Sequence, residues 1–435
     1  MTSRRFRRTR ASALVAAAAV LAVSAAACSS SSSQSGAVTN STLTVAAFNP
    51  FTGPDASFGP EMMAGCLTAA AAVNAAGGVL SNKVACTSVD TRGDPADAVT
   101  AGAKMLATTP HLLGVLGPSS DEADSTARLI NAAKVTMFAD TGEASFDHTK
   151  LQYFWRMTPG DDVLGYAMAL YAKQKGYLRA AAVFGNDIGS QSVVPTLLKG
   201  YGALGGQMVL YQKIAQNQTS YQPEVQQLIA AKPQVIFTEA APQSSATYLG
   251  ELQQVSHLIP VVGSNATIEP GWLSAVAAAI GKPAMSKYYT GATPYAAASG
   301  PAWQAYNKVL LATPSVTKPA SQWSGDGYSM VDYDGLTVMA LAATAAKSTN
   351  PAVFNAYIPA VTTASPGAVV VHSYAGGLAA LKAGKKIDYV GATGVIAWDK
   401  WHNSTGDFEI QGYQPNGSTP NLDLITAADV APLLK

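Results

Sequence analysis

The side chains of this chain that could do chemistry are hydroxyls, amides and carboxylates placed just after apolar runs. Ser119-Ser120 follows the run His111–Leu116, Thr141-Gly142-Glu143 follows Val135–Ala139, and Asn265 follows Ile259–Val262. An earlier loop, after Leu43–Phe48, carries Phe51, Thr52, Asp55, Ser57 and Phe58. Hydroxyls and free backbone N–H groups at strand ends suit a carboxylate or an amide, which is the chemistry of holding a solute. Taken singly, each Ser or Thr reads as the N-cap of the next helix. Taken together, two such loops at one sheet edge read as a binding site.

Signals for other chemistry are thin. The five histidines, His111, His148, His257, His372 and His402, show no metal-ligand spacing. No G-x-S-x-G marks a nucleophile elbow, and the loop after Leu43–Phe48 lacks the glycine patterns that cradle phosphate. No catalytic residue, metal or cofactor is expected. Asp161-Asp162 read as acids at a helix N-terminus. Trp272, Trp303, Trp323 and Trp401 could line a ligand cleft, but as isolated aromatics each reads by default as core or surface packing.

The elements that must position these residues alternate. Leu43–Phe48 is a β-type run, and an Ala-rich helix spans about Pro60–Ala75 until Gly77-Gly78 stops it. Val84–Val89 is the next strand, and Asp94-Pro95 supplies an N-cap and a first-turn proline. Strand–helix–strand–helix order implies βαβ units and parallel sheet. The alternation continues through Ala180–Phe184, a helix over 190–204, Met208–Lys213 and Gln234–Thr238.

The layout FTGPDASFG, helix, NAAGGVLSNKV, then D-x-x-x-D-P-x-x-A-V resembles the Leu/Ile/Val-binding family of ABC-importer solute-binding proteins. Phe154-Trp155-Arg156-Met157-Thr158-Pro159 resembles the segment in which that family crosses between lobes. The resemblance implies the type I periplasmic-binding fold, an α/β architecture of two lobes with mainly parallel sheets and three crossover hinges. Residues 43–157 and 292–393 would form lobe 1, and 158–291 with 394–435 lobe 2; Lys287–Tyr295 would carry the chain back. It further implies that Ser119 or Ser120 and the loop Thr141–Gly142–Glu143 hold the solute's polar head, and that Phe58 packs over its body. Asn265 falls where the amino-acid binders carry a glutamate for the ammonium group. An amide cannot compensate a desolvated ammonium, so the expected solute lacks one unless Glu143 or Glu239 takes that role.

Export signals surround this unit. Five arginines within residues 4–10 precede an apolar stretch, Ala11–Val23, and then Ala25-Ala26-Ala27-Cys28 and a serine run. This resembles a bacterial lipoprotein signal peptide over residues 1–27, with Cys28 lipidated and residues 28–42 a flexible tether; plain secretion is the alternative. The mature chain carries 23 basic against 27 acidic side chains, so no basic surface for nucleic acid is expected. Cys66 and Cys86 remain as an even pair in an oxidising compartment, either bridged or as two buried thiols.

The expected function is an extracytoplasmic solute-binding lipoprotein. It would pass a small polar or amphipathic molecule (amino acid, amide, urea or carboxylate-like) to a membrane permease. A ligand sensor of the same fold, or a secreted α/β hydrolase, is the alternative.

Overall fold

The computed structural model describes residues 41–53, 55–296, 298–404 and 406–433. Cys28 and the signal segment lie outside them. The chain opens with β1 (Thr42–Asn49), α1 (Phe58–Ala75), β2 (Lys83–Asp90), α2 (Pro95–Thr108), β3 (Leu112–Ser119), α3 (Ser120–Ala132), β4 (Met137–Asp140) and β5 (Phe154–Arg156). These five strands form one parallel sheet in the order β2-β1-β3-β4-β5. Local signals act as the sequence implied. Gly77 and Gly78 take φ of +104° and +78° after α1, and the Asp94 side chain accepts from the N–H groups of Ala96 and Asp97. Cys66 on α1 and Cys86 on β2 are joined by a disulfide.

A second series follows: α4 (Asp161–Gln174), β6 (Arg179–Gly185), α5 (Ile188–Ser192), α6 (Val194–Ala203), β7 (Gln207–Ile214), α7 (Gln222–Ala231), β8 (Val235–Glu239), α8 (Pro242–Val255), β9 (Val261–Gly263), α9 (Pro270–Ile280), α10 (Lys282–Tyr288) and β10 (Tyr289–Pro294). The single helix expected over 190–204 is two, split at Val193. The Asp187 side chain caps α5, accepting from Ser190 N–H, and Pro195 opens α6 without an N–H to continue the preceding turn.

The chain then returns through α11 (Gly300–Ala312), α12 (Gly327–Ala346), α13 (Pro351–Phe354), α14 (Ile358–Thr362), β11 (Val369–Val371), α15 (Tyr374–Lys382), β12 (Ile387–Gly391) and β13 (Gly394–Val395). It continues with β14 (Phe408–Gly412) and β15 (Asn421–Ile425), which complete a seven-stranded sheet in the order β15-β14-β10-β9-β8-β6-β7, and a short helix, α16 (Ala427–Val430), follows. The run Lys287–Tyr295 is therefore not a crossing: α10 ends at Tyr288 and β10 pairs with β9 and β14 as far as Pro294. Gly394–Val395 still pairs with β12, so the third passage begins after it.

One core joins α1, α11, α12 and β12 to the five-stranded sheet, while separate clusters cover the two faces of the seven-stranded sheet. Small residues let α1 and α12 approach closely: a Cβ on Gly65 would sit 2.2 Å from Ser329 O. Ser329 Oγ in turn donates to the Glu61 carbonyl at 2.7 Å. The first and third passages between the halves are zipped together. Arg156 N–H donates to His402 O, Ser404 N–H donates to Arg156 O, and the Trp155 ring stacks on His402 at 3.8 Å. Among the described residues, no helix is long and apolar enough to cross a membrane.

Candidate functional site

The carboxyl ends of β1, β3 and β4 face those of β6, β8 and β9 across a cavity of about 240 Å3. Two hydrogen bonds close it from opposite halves. Gly189 N–H donates to Asp121 Oδ1 at 2.8 Å, and Asn265 Nδ2 donates to the Tyr328 hydroxyl at 2.7 Å.

Of the residues expected to hold the solute, Phe58, Ser119, Ser120 and Asn265 line this cavity, and so do Asp55, Ser57, Asp161, Glu239 and Trp272, which the sequence places in other roles or leaves open. Phe58 opens α1 and meets the Tyr328 ring edge-on, 5.4 Å between centroids. Ser119 Oγ donates to Glu122 Oε1 at 2.9 Å and Ser120 Oγ to Thr141 Oγ1 at 3.3 Å. Neither serine hydroxyl caps α3.

The loop Thr141–Gly142–Glu143 stands one layer behind the wall. Its three residues are buried, and Asp161 is the residue in front of them on the cavity. Asp161 N–H donates to the Gly142 carbonyl at 2.6 Å, and a Cβ on Gly142 would fall 1.9 Å from the Asp161 carboxylate. Arg156 holds the loop from below, donating to the carbonyls of Gly142 and Glu143 at 3.2 and 2.9 Å and pairing with Asp147 at 2.6 Å.

Carboxyl groups dominate the wall. Among the described residues, eight of those lining the cavity are carboxylic acids and none is Lys, Arg or His. Burial pushes Asp55 up to about 8, helped by the charges of Asp121, Asp187 and Glu122. Burial likewise raises Glu122 and Asp161 to about 7 and Asp121 to about 6. Glu239 is raised by burial and then by Asp161. Behind the wall Glu143 rises to about 9, by burial first and then Asp124. Several carboxyls are close enough to share a proton, Asp55 with Asp121 and Asp140 with Asp332. Glu61, Glu269 and Asp326 also converge, one oxygen from each lying within 4.8 Å of the others.

Glu122, Asp187 and Glu269 escaped the sequence reading, although a signal for acids at this edge exists. Asp121, Asp140, Asp187 and Glu239 each sit at or just after the end of a parallel strand, as does the Ser119-Ser120 pair, and Asp161 opens the helix that follows β5. An acid at nearly every strand end is a pattern; an isolated acid before a helix reads only as a cap.

A larger cavity, about 710 Å3, adjoins the cleft and shares Glu269 and Tyr328 with it. Its walls include the passages between the halves, among them Met157–Pro159 and Thr293–Ala296, and it carries Lys282.

A family profile described as "Periplasmic binding protein" matches residues 42–403. The chain belongs to that family. No curated protein matches the chain. This periplasmic binding protein shares its fold with the leucine-binding protein LivK of Thermotoga maritima, at 18% identity and a TM-score of 0.70 over 89% of this chain and 99% of that one. A solute-binding protein of R. palustris in complex with 4-hydroxybenzoate matches at 18% identity and TM-score 0.70, over 88% and 96%. A fatty acid ABC transporter substrate-binding protein from Thermomonospora curvata matches at 17% and 0.68, over 92% and 96%. The two-sheet α/β architecture expected from the sequence is therefore the fold of this periplasmic binding protein.

Proposed function

We propose that this periplasmic binding protein captures a small solute between two lobes, built on the five- and seven-stranded sheets, and delivers it to the permease of an ABC importer. The observation that carries this reading is the 240 Å3 cavity where strand ends of both sheets converge, with buried polar atoms that have no partner there. Phe58, Ser119, Ser120 and Asn265 touch the solute. The Thr141–Glu143 loop positions Asp161 against it. Closing the lobes removes water from the site and strengthens each polar contact made inside it, and the closed face is what a permease would recognise.

Native mass spectrometry of the purified protein, followed by thermal-shift screening, tests the reading. A solute at 100 times its dissociation constant adds about 2.7 kcal/mol of stability. Its affinity should fall in Phe58→Ala and in Asn265→Ala; a solute whose affinity ignores both substitutions binds elsewhere. Lipidation at Cys28 would hold the receptor at the membrane, since two or more acyl chains anchor stably. Cys28→Ala should then release the protein from the membrane fraction.

A further inference from the structure

We propose that the solute of this cleft is an organic cation with at least two amino groups, an alkyl diamine or oligoamine. The proposal rests on the reading of the 240 Å3 cavity as the solute site and names the class of molecule it takes.

Charge is the first ground. Eight carboxyl groups and no cationic side chain line the cavity among the described residues. A desolvated anion would meet no compensation there.

The hydrogen-bond inventory is the second and is independent of charge. Several donors at the wall are already engaged by the protein: Ser119 by Glu122, Ser120 by Thr141, Gly189 N–H by Asp121, Gln216 by Asp187 and Asn265 by Tyr328. The acceptors are not. Oε2 of Glu122 is buried without a hydrogen-bond partner, on a side chain 0% exposed, and the carboxyls of Asp140 and Glu269 face only other carboxyls, Asp332 and Glu61. Such groups call for a ligand that only donates, and an ammonium brings three N–H donors and no acceptor.

The third ground is where the charges sit. Asp55 and Asp121 belong to the half with the five-stranded sheet, and Asp187 and Glu239 to the other. Like charges on facing walls oppose closure, and a single ammonium leaves most of them unmatched. Two amino groups on one chain can meet carboxylates from both halves.

An organic chain suits the remaining wall better than a metal ion. Phe58, Met62, Trp272 and Tyr328 contribute apolar surface and ring faces, which pack methylene groups and attract ammonium. The volume is also many times the roughly 30 Å3 that one water occupies.

Isothermal titration and thermal melting of the purified protein test the proposal. The probes are 1,4-diaminobutane, spermidine, n-butylamine, leucine, 4-hydroxybenzoate and calcium chloride. A diamine or spermidine should bind at least tenfold tighter than n-butylamine. That affinity should weaken at least tenfold in Asp187→Asn and in Glu239→Gln, while those variants melt no lower than the original without ligand. Failure of both amines to bind overturns the proposal, as does calcium chloride giving the same thermal shift. Leucine or 4-hydroxybenzoate binding in a manner lost in Phe58→Ala overturns the cationic class and leaves the cleft reading standing. Amine binding that ignores Phe58→Ala as well as both acid substitutions overturns the cleft reading too.

Discussion

Asn265 Nδ2 donates to the Tyr328 hydroxyl at 2.7 Å, tying the residue just after β9 to the first turn of α12 in the opposite half. The bond sits on the wall of the cleft beside the Phe58 ring, which packs edge-on against Tyr328. It joins the two halves across the cleft.

Asn265→Ala should therefore weaken solute binding more than it weakens the fold. A neutral hydrogen bond contributes about 0.5–1.5 kcal/mol net, which is about two- to tenfold in affinity. Titration of the bound solute into the variant measures that loss. Melting of the ligand-free protein should move by only a few degrees, because both partners are half-buried and water replaces either one.

The Cys66–Cys86 bridge closes a loop with a sequence separation of 20. Chain entropy alone makes such a closure worth about 3 kcal/mol. A Cys66→Ser, Cys86→Ser double variant should unfold at correspondingly lower denaturant with an altered m-value, since the unfolded chain becomes less compact. Thiol labelling of the unfolded, unreduced protein should detect neither cysteine.

Much of this architecture was legible in the sequence because its signals are local. Gly77-Gly78, Asp94-Pro95 and the apolar runs before residue 140 act within one turn or one strand, and each acts in the structure as the sequence implies. The site was legible only at its rim. Ser119 and Ser120 face the cleft, whereas Thr141 and Glu143 do not, because Asp161 folds over them and bonds to Gly142. That displacement depends on Arg156 reaching back to the loop carbonyls, a tertiary contact that no local pattern announces. The late boundary at Pro294 has the same origin: β10 is held in the seven-stranded sheet by β14, more than a hundred residues downstream.

The acidic cleft gives the ligand-free protein an inverted pH dependence. Asp55 is raised to about 8 by burial, with Asp121, Asp187 and Glu122 facing it. Glu269 is raised to about 8 by burial, with Asp326 and Glu61 facing it. In the unfolded chain such groups ionise near 4. Between about pH 4 and pH 8 the unfolded state therefore holds fewer protons than the folded one, and stability falls as pH rises through that window. Melting should drop by several degrees from pH 5 to pH 8 at low salt. Asp55→Asn should flatten the profile, and a melting temperature that instead rises steadily over this range would sink the electrostatic account of the cleft.

Arg156 is the residue on which the indirect part of the site depends. Its guanidinium is buried at 3% exposure and divides its donors among two carbonyls of the 142–143 loop and the Asp147 carboxylate. Those bonds fix the Gly142 carbonyl that receives Asp161 N–H, and so fix where the Asp161 carboxylate meets the cleft. Lysine carries the same charge, but it cannot present the planar fork that reaches three acceptors at once. Removing one partner of a buried ion pair costs about 3–5 kcal/mol, so Arg156→Gln should destabilise the protein by roughly that amount. Arg156→Lys should restore part of the stability while leaving solute affinity low, because the charge returns and the loop geometry does not. Denaturant melts and solute titrations on the two variants separate these effects. Full recovery of affinity in Arg156→Lys would show that Asp161 holds its place without the guanidinium.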